Sequence, residues 1–375
     1  MKRIALFSHG GFDRPGEGVH VPFLAGLVRR LGERFDLSVY APGGTCDATP
    51  PNWLNARRVP LPVTTSSPVP LKVAALWRAA SLDNRRHAFD LVHGIWAIPS
   101  GALAAAFGTI RRIPSVVSLH GAETASLPSI SYGNMRGEPY RSVTRWTCRH
   151  AGALVALSGH QRDSLRRAGI LREDVIVVPP GAEPGLLVAM PRRPPSDGPL
   201  HVLHVANLTE VKDQETLLRA FAAISAARDA ELRVVGGDYL RGRIQQRASE
   251  LGIAARVAFT GFVPHEAMAG HYAWAHVLMQ TSLHEAGGVA VCEAAAARVV
   301  VCGTATGILA DLAEECTVAV SPGDHEGLAR SVLALLADPE RFTNIQEGAY
   351  RWARENTAET AARLIGELYE RLLAR

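Results

Sequence analysis

The sequence predicts an α/β protein made of two doubly wound, Rossmann-like parallel-sheet domains. Three observations carry that expectation. The 375 residues are long for one core and comfortable for two. Short apolar runs alternate with amphipathic helical stretches along the chain, which is the pattern of βαβ units. Near the middle, Pro191-Arg192-Arg193-Pro194-Pro195-Ser196-Asp197-Gly198-Pro199 interrupts that alternation. Four prolines and a glycine in nine residues cannot continue a helix or a central strand, so the stretch reads as a linker. The expected domains are 1–190 and 200–356, joined by 191–199 and followed by a closing helix over 357–375.

The elements follow in order. Arg3–Phe7 reads as a strand, and its basic start with a brief apolar run does not suit a signal peptide. Val21–Leu31 reads as a helix, with Val21, Leu24, Leu27, Val28 and Leu31 on one face. Strands are expected at Leu37–Tyr40, Leu91–His93, Ser115–Leu119, Ala153–Ala156 and Val175–Val178. Beyond the linker, His201–Val205, Glu231–Val235, Val257–Thr260, Val277–Gln280, Val299–Cys302 and Val318–Val320 read as strands. An amphipathic helix is expected from Asp213 to Ala227, with further helices from Gly327 to Leu336, from Pro339 to Arg354 and from Thr357 onward. Residues 42–70 and 124–139 are the least patterned.

Composition bounds the function. Apolar residues make up 47% and charged residues 20%, as in a soluble globular protein. The longest central apolar stretch, Gly101–Gly108, is too short to span a bilayer. Five cysteines without a Cys-x-x-Cys indicate neither a disulfide framework nor a zinc site, so a reducing cytoplasm is the expected compartment. Residues 1–195 carry 24 Lys/Arg against 13 Asp/Glu, whereas 196–375 carry 16 against 23. The basic first half is expected to face something anionic: a membrane surface, a phosphorylated acceptor or the acidic second half. No recognition motif accompanies the charge, so nucleic acid is not an expected partner. Arg141, Arg145 and Arg149 fall at helical spacing, with Arg136, Arg162, Arg166 and Arg167 nearby. They form either a solvated face or a docking surface for anionic lipid or a phosphorylated acceptor.

The chemistry concentrates in Ser282-Leu283-His284-Glu285-Ala286-Gly287-Gly288-Val289-Ala290-Val291-Cys292-Glu293. Two carboxylates stand eight positions apart around a Gly-Gly pair. Glycines let backbone N–H groups approach an anion, and a helix starting near Gly288 adds its dipole. An anion cradle flanked by two acceptors suits a nucleotide sugar. On spacing alone, Glu285 is equally an exposed loop acid, and Glu293 a helix N-terminal acid.

The segment resembles the E-x7-E motif of retaining glycosyltransferases, in particular glycosyltransferase family 4 with its GT-B fold. Other blocks follow that family in order. Pro15-Gly16-Glu17-Gly18-Val19-His20-Val21 resembles its glycine loop, and Asp90–Trp96 its strand-plus-His segment. Ser118-Leu119-His120-Gly121-Ala122-Glu123 resembles its H-G turn, and Val178-Pro179-Pro180-Gly181-Ala182-Glu183 the signature before its linker. Val205-Ala206-Asn207-Leu208, Val211-Lys212-Asp213, Val235-Gly236-Gly237, Phe259–Val263, Glu293-Ala294-Ala295-Ala296 and Thr306-Gly307 resemble its second-domain blocks.

The resemblance implies two domains facing a central cleft, with nucleotide sugar on the second, acceptor on the first, and the closing helix packing back on the first. It implies Lys212, Gly287, Gly288 and Val289 as donors to the diphosphate, Glu285 on sugar hydroxyls and Glu293 on ribose. His120 would sit near the donor sugar, with Gly16, Gly18, Asn207 and Gly236 lining the donor site. Apart from the family, Lys212 reads equally as a surface lysine, His120 as structural, and Gly16 and Gly18 as a tight turn. No Asp-x-Asp occurs, so no metal bridging the diphosphate is expected. No cofactor is expected beyond a UDP- or GDP-sugar as donor substrate. The acceptor would be a glycan, a lipid-linked molecule or a small molecule, and the protein would lie in the cytoplasm or at the inner face of the membrane.

Three departures stand out. Asn207 replaces an arginine of most members, and Arg298 and Val300 replace the Gly and Pro of a G-x-P, which implies a different backbone path after Glu293. At Gly288 the sequence lacks the aromatic residue and further Gly that often follow. The other reading is a catalytically weak nucleotide-sugar-binding partner protein of the same fold.

Overall fold

The computed structural model describes residues 1–12, 21–43, 55–188, 190–191 and 198–374. The chain divides into two compact units, Met1–Pro180 with Ala358–Arg375, and Gly181–Thr357.

The first unit holds β1 (Arg3–Phe7), β2 (Asp36–Tyr40), β3 (Arg57–Arg58), β4 (Leu91–Ile95), β5 (Ser115–Ser118), β6 (Ala153–Ala156) and β7 (Val175–Val177). Its helices are α1 (Pro22–Leu31), α2 (Val69–Arg86), α3 (Ala102–Arg111), α4 (Tyr140–His150) and α5 (Gly159–Arg167). The second unit holds β8 (Leu200–Val205), β9 (Ala230–Val235), β10 (Val257–Gly261), β11 (Val277–Gln280), β12 (Val300–Thr304) and β13 (Val318–Val320). Its helices are α6 (Gln214–Ala227), α7 (Arg243–Glu250), α8 (Met268–Trp274), α9 (Val289–Ala296), α10 (Gly307–Asp311), α11 (His325–Leu336) and α12 (Pro339–Glu355). The last helix, α13 (Ala358–Leu373), belongs to the first unit.

Both sheets are wholly parallel, in the orders β3-β2-β1-β4-β5-β6-β7 and β10-β9-β8-β11-β12-β13. The strand order reverses beside β1 and beside β8. In doubly wound sheets, ligands bind at such switch points, outside the strand C-termini. Every strand expected from the sequence is present, with ends shifted by at most two residues. The legibility is physical, because strands buried on both faces must be apolar runs. The two-residue β3 was not expected, since Arg57-Arg58 offers no apolar signal.

In the first unit, α13 packs on α1, and Ala361, Ile365, Leu368 and Tyr369 join Ile4, Leu6 and Leu24 in one core cluster. The buried His93 accepts or donates at both nitrogens, to the Tyr369 hydroxyl at 2.6 Å and Ser118 Oγ at 2.8 Å. In the second unit, Ala182 bridges to Thr357, and Val188 N–H donates to Ala296 O at 3.1 Å. These contacts hold the segment after Pro180 in the second unit, ahead of the proline-rich stretch. Residues 192–197 of that stretch lie outside the described residues.

The basic face expected on α4 is different in detail. Arg141 donates to Met135 O at 2.9 Å and Arg145 to Ala168 O at 2.9 Å, so both guanidiniums serve the fold. Of the three, Arg149 is exposed, while Arg141 and Arg145 are half-buried.

Candidate active site

In the second unit, β8 leads into a 3-10 turn at Glu210–Lys212. Asp213, at φ 46°, caps α6 by accepting from Thr216 N–H at 3.2 Å. Leu283 N–H donates to Val211 O at 2.8 Å, and Thr281 Oγ1 donates to the carbonyls of Lys212 and Asp213 at 3.2 and 3.0 Å. These bonds lace the Lys212 turn to the loop after β11. As a result Lys212 Nζ forms an ion pair with Glu285 Oε1. Glu285 Oε1 also accepts from Ser282 Oγ at 2.6 Å and Gln280 Nε2 at 2.8 Å. Burial pushes the Glu285 carboxyl up, but Lys212 and Ser282 outweigh it and hold the group below the usual carboxylate range. Glu285 is therefore ionised at neutral pH, with a side chain only 13% exposed.

The loop continues to Gly288, at φ 110°, where α9 begins without a side-chain cap. Gly287 O accepts from Ile308 N–H at 2.8 Å. A Cβ on Gly307 would stand 2.3 Å from Gly287 O and 2.9 Å from Glu285 Cβ, so only glycine lets α10 pack this closely. Val289 is the first residue of α9. Its N-terminus presents N–H groups and a positive dipole end, a natural anion site.

Asn207 lies at the end of β8, exposed. Its Oδ1 accepts from Gly237 N–H at 3.0 Å, so the side chain in the arginine's place holds the Gly236-Gly237 turn. Gly236, at φ 149°, is required there, because a Cβ would lie 2.0 Å from Ala206 O. Beneath this turn His204 is fully buried, and burial pushes its imidazole down to about 4. Its Nδ1 bonds to Met279 O at 2.8 Å, which makes Nδ1 the protonated nitrogen. Gln214 Nε2 donates to Asn207 O at 3.2 Å, and reaches toward His204 Nε2 at 3.4 Å.

Glu293 lies in the second turn of α9 and is buried. Its Oε2 accepts from the Tyr272 hydroxyl at 2.6 Å, and Oε1 lies 3.6 Å from His265 Nδ1. Burial raises its carboxyl above the usual range. The turn after α9 places Arg298 at φ 55°, the left-handed conformation that glycine adopts freely. Arg298 Nε donates to Val188 O at 2.8 Å, its guanidinium pairs with Glu347 and stacks 3.7 Å from the Tyr350 ring centre. At Arg298 the backbone thus takes a conformation that glycine adopts freely, and what differs from the glycine of a G-x-P at this residue is the side chain.

In the first unit, His120 follows β5. Both ring nitrogens are buried without a hydrogen-bond partner, and burial pushes the imidazole down to about 3. The ring stacks on Phe23 at 5.4 Å and lies 5.8 Å from Trp96, which in turn meets His9 at 4.2 Å. Trp96 sits at φ 65°, a strained conformation for so large a side chain. The buried Glu123 accepts N–H bonds from Ala97 at 3.3 Å, His120 at 3.2 Å and Gly121 at 2.7 Å, and so fixes the Trp96 and His120 loops together.

Of the residues expected from sequence, Lys212 and Glu285 meet directly, and Gly287, Gly288 and Val289 sit on the same loop and helix start. Asn207 joins Gly236-Gly237. Gly16 and Gly18 lie outside the described residues. His204, Gln214, Tyr272, Gln280, Trp96 and Glu123 were not singled out as site residues. Among the described residues, no group of three His, Cys, Asp or Glu could hold a metal ion, and no helix is long and apolar enough to cross a membrane.

Residues 22–185 match the family described as Glycosyltransferase Family 4, and residues 190–352 that described as Glycosyl transferases group 1. The chain belongs to glycosyltransferase family 4. This glycosyltransferase is 27% identical over 325 residues to the 2-deoxystreptamine glucosyltransferase of Streptomyces kanamyceticus, covering 80% of the chain and 83% of that protein. Its fold is similar to sucrose-phosphate synthase from Thermosynechococcus elongatus, with TM-score 0.82, 22% identity and full coverage of both chains (100% each). It is also similar to the Anabaena protein HepE in complex with UDP-glucose, with TM-score 0.74, 19% identity, and 99% and 100% coverage. The fold of the glycosyltransferase is GT-B.

Proposed function

We propose that this glycosyltransferase is a retaining, metal-independent enzyme that moves a sugar from a nucleotide diphosphate sugar to an acceptor hydroxyl. One observation carries the reading: the Lys212–Glu285 ion pair on the loop that opens into the uncapped N-terminus of α9. Cleaving the bond from sugar C1 to phosphate builds negative charge on the leaving diphosphate. Preorganised donors aimed at that charge stabilise the transition state. Lys212 and the N–H groups of Gly287, Gly288 and Val289 are those donors. Diphosphate would draw Lys212 away from Glu285 and free the carboxylate for sugar hydroxyls, which orient the anomeric carbon. Glu293, with Oε2 held by Tyr272, offers Oε1 to ribose.

UDP or GDP carries the sugar, and no other cofactor takes part. A neighbouring fold binds UDP-glucose, which favours UDP. The acceptor is a glycan, a lipid-linked molecule or a small molecule. The Streptomyces relative, named for 2-deoxystreptamine, favours the small-molecule class. The protein works in the cytoplasm and touches the inner membrane face through its basic first unit.

Thermal melts with UDP, GDP, ADP, dTDP and their sugars, without metal, test the donor site. Ligand bound only by the folded state raises the melting temperature by mass action. A selective shift lost in Lys212→Ala supports the reading, and no shift with any nucleotide removes it. Asn207 favours a second reading, a weak nucleotide-sugar-binding partner, because its side chain is occupied by Gly237. A nucleotide shift without turnover of the sugar, with or without acceptor, would select that reading.

A further inference from the structure

A chain of hydrogen bonds in the first unit begins on the last helix. The Tyr369 hydroxyl lies 2.6 Å from His93 Nδ1, and His93 Nε2 lies 2.8 Å from Ser118 Oγ. All three side chains are buried. Burial pushes the His93 imidazole down to about 3, so the ring is neutral and carries a proton on one nitrogen only. Two arrangements satisfy that ring. In the first, Nδ1–H donates to the phenol oxygen and Ser118 donates to Nε2. The Tyr369 proton is then left in an apolar cluster with Ile4, Leu6 and Phe35, where an unmet buried hydroxyl is costly. In the second, the phenol donates to Nδ1, Nε2–H donates to Ser118 Oγ, and the Ser118 proton is passed on. The second arrangement leaves no buried proton stranded, provided that Ser118 has an acceptor.

The fold supplies a place for one. Ser118 and His120 line the same cavity of about 20 Å³, closed by apolar side chains such as Phe23, Leu27, Val155 and Ala361. That is room for one water, which needs at least two polar partners. Ser118 Oγ is one. His120 is the other, because both its ring nitrogens are buried and meet no hydrogen-bond partner among the described residues. Phe23 and Trp96 stand against the His120 ring at 5.4 and 5.8 Å and restrict its turning. Glu123, on the same loop, is taken up by the N–H groups of Ala97, His120 and Gly121 and leaves the imidazole alone. His93 stands close enough to help keep the His120 imidazole neutral.

We propose that Tyr369 and His93 are positioning residues, which fix the tautomer of His120 through Ser118 and one buried water. The relay runs in one direction. The phenol donates to His93, His93 to Ser118, Ser118 to the water, and the water to the His120 nitrogen that faces the cavity. That nitrogen is unprotonated, so the other one carries the hydrogen. His120 is thereby a neutral donor of fixed direction just beyond β5, at the strand C-termini where ligands meet such sheets. An imidazole free to exchange tautomers would present that donor only part of the time. The effect on turnover rests on the transferase reading above, whereas the relay itself does not.

The test is long-range proton–nitrogen NMR of the full chain carrying nitrogen-15 histidine, at pH 7. It separates protonated from unprotonated ring nitrogens, and His93→Asn and His120→Asn assign the signals. In the wild type, His93 should be protonated at Nε2 and His120 should be neutral in a single tautomer. Ser118→Ala removes the hydroxyl that feeds the water, so the two His120 nitrogens should move toward averaged values. Tyr369→Phe should shift them in the same sense. It should also lower kcat at least about tenfold with the KM for donor nearly unchanged, since a positioned proton donor contributes roughly 100- to 10,000-fold. A tyrosine that served packing alone would move the melting temperature and leave the tautomer as it was.

A wild-type His120 that is charged, or that averages both tautomers, overturns the proposal. So does a His120 signal unchanged in Ser118→Ala, and so does wild-type kcat in Tyr369→Phe. If Tyr369→Phe does not fold, Ser118→Ala carries both readouts. The nucleotide thermal shift on the same variants reports folding and the donor site. Its absence from the wild type removes the transferase reading while the tautomer result stands, so the two failures are distinguished.

Discussion

The Tyr272 hydroxyl donates to Glu293 Oε2 across 2.6 Å, with both residues buried in the second unit. The bond fixes one carboxylate oxygen, while Oε1 lies 3.6 Å from His265 Nδ1. Removing the hydroxyl leaves a buried oxygen without its donor.

Tyr272→Phe should therefore weaken UDP binding about tenfold, because a hydrogen bond to a charged group contributes roughly 1.5 kcal/mol. Calorimetric titration with UDP and with 2′-deoxy-UDP checks this. A larger loss for UDP than for the deoxy form is expected if Glu293 reads ribose. Equal losses would mean that Tyr272 serves packing alone.

Lys212→Met should abolish the nucleotide-induced thermal shift and destabilise the free protein by about 1–2 kcal/mol, since it strands a mostly buried carboxylate. The pH dependence carries a sign. Glu285 titrates below its unfolded value, so the pair's contribution is full above about pH 4.3 and fades as pH falls through the folded value. In Lys212→Met that acid-side loss should disappear. Urea melts between pH 3 and 7 would show it, with roughly one carboxylate's worth of slope at stake.

Arg298→Gly relieves a left-handed arginine, a gain of about 1 kcal/mol. It also removes the bond to Val188 O, the Glu347 pair and the stack on Tyr350. The losses should win, with net destabilisation of about 1–2 kcal/mol. Thermal melts of this variant beside Glu347→Ala would measure it. A stabilised variant would show that the turn, rather than the side chain, sets the energy.

Four imidazoles should make the protein acid-sensitive well above the carboxylate range. Burial pushes His93 and His120 to about 3, and His9 and His204 to about 4. The unfolded chain takes up these protons near pH 6.5 and the folded chain does not. Stability is therefore full above that pH and falls as pH drops, by up to about 1.4 kcal/mol per unit for each group. The fall should begin near pH 6.5, and His204→Gln should make it shallower. A flat stability profile from pH 7 to 5 would contradict the neutral imidazoles.

Glu123→Gln keeps the shape but offers one carbonyl oxygen where two carboxylate oxygens now serve three N–H donors. It should lower kcat at least about tenfold, because misplacing a site loop by a fraction of an ångström is costly, with the KM for donor nearly unchanged. A change confined to melting temperature would make Glu123 purely structural.

Much of this was legible in the sequence, and the remainder has physical reasons. Strand β6, Ala153–Ala156, announces itself because burial along its whole length leaves only apolar residues. The loop from Glu285 to Val289 stands out because anion contact needs glycine. The ion pair between Lys212 and Glu285 does not, since it depends on Leu283 and Thr281 lacing two distant loops. His204 and Gln280 are hidden inside strands, where a polar residue in an apolar run looks like noise. Trp96 gives no hint of a positive φ, which only tertiary packing imposes. Helical spacing put Arg141, Arg145 and Arg149 on one face, but spacing cannot show that Met135 O and Ala168 O engage two of them.

The last helix also governs the order in which the protein is made. Ala361, Ile365, Leu368 and Tyr369 complete the core begun by Ile4, Leu6 and Leu24, and Tyr369 closes a bond onto His93. A ribosome delivers the first unit's strands early and this helix late. The second unit, whole within Gly181–Thr357, can assemble while its predecessor still waits with an open apolar face. The unit translated first is therefore the unit finished last, and its open apolar face is the surface exposed to aggregation until the last helix arrives.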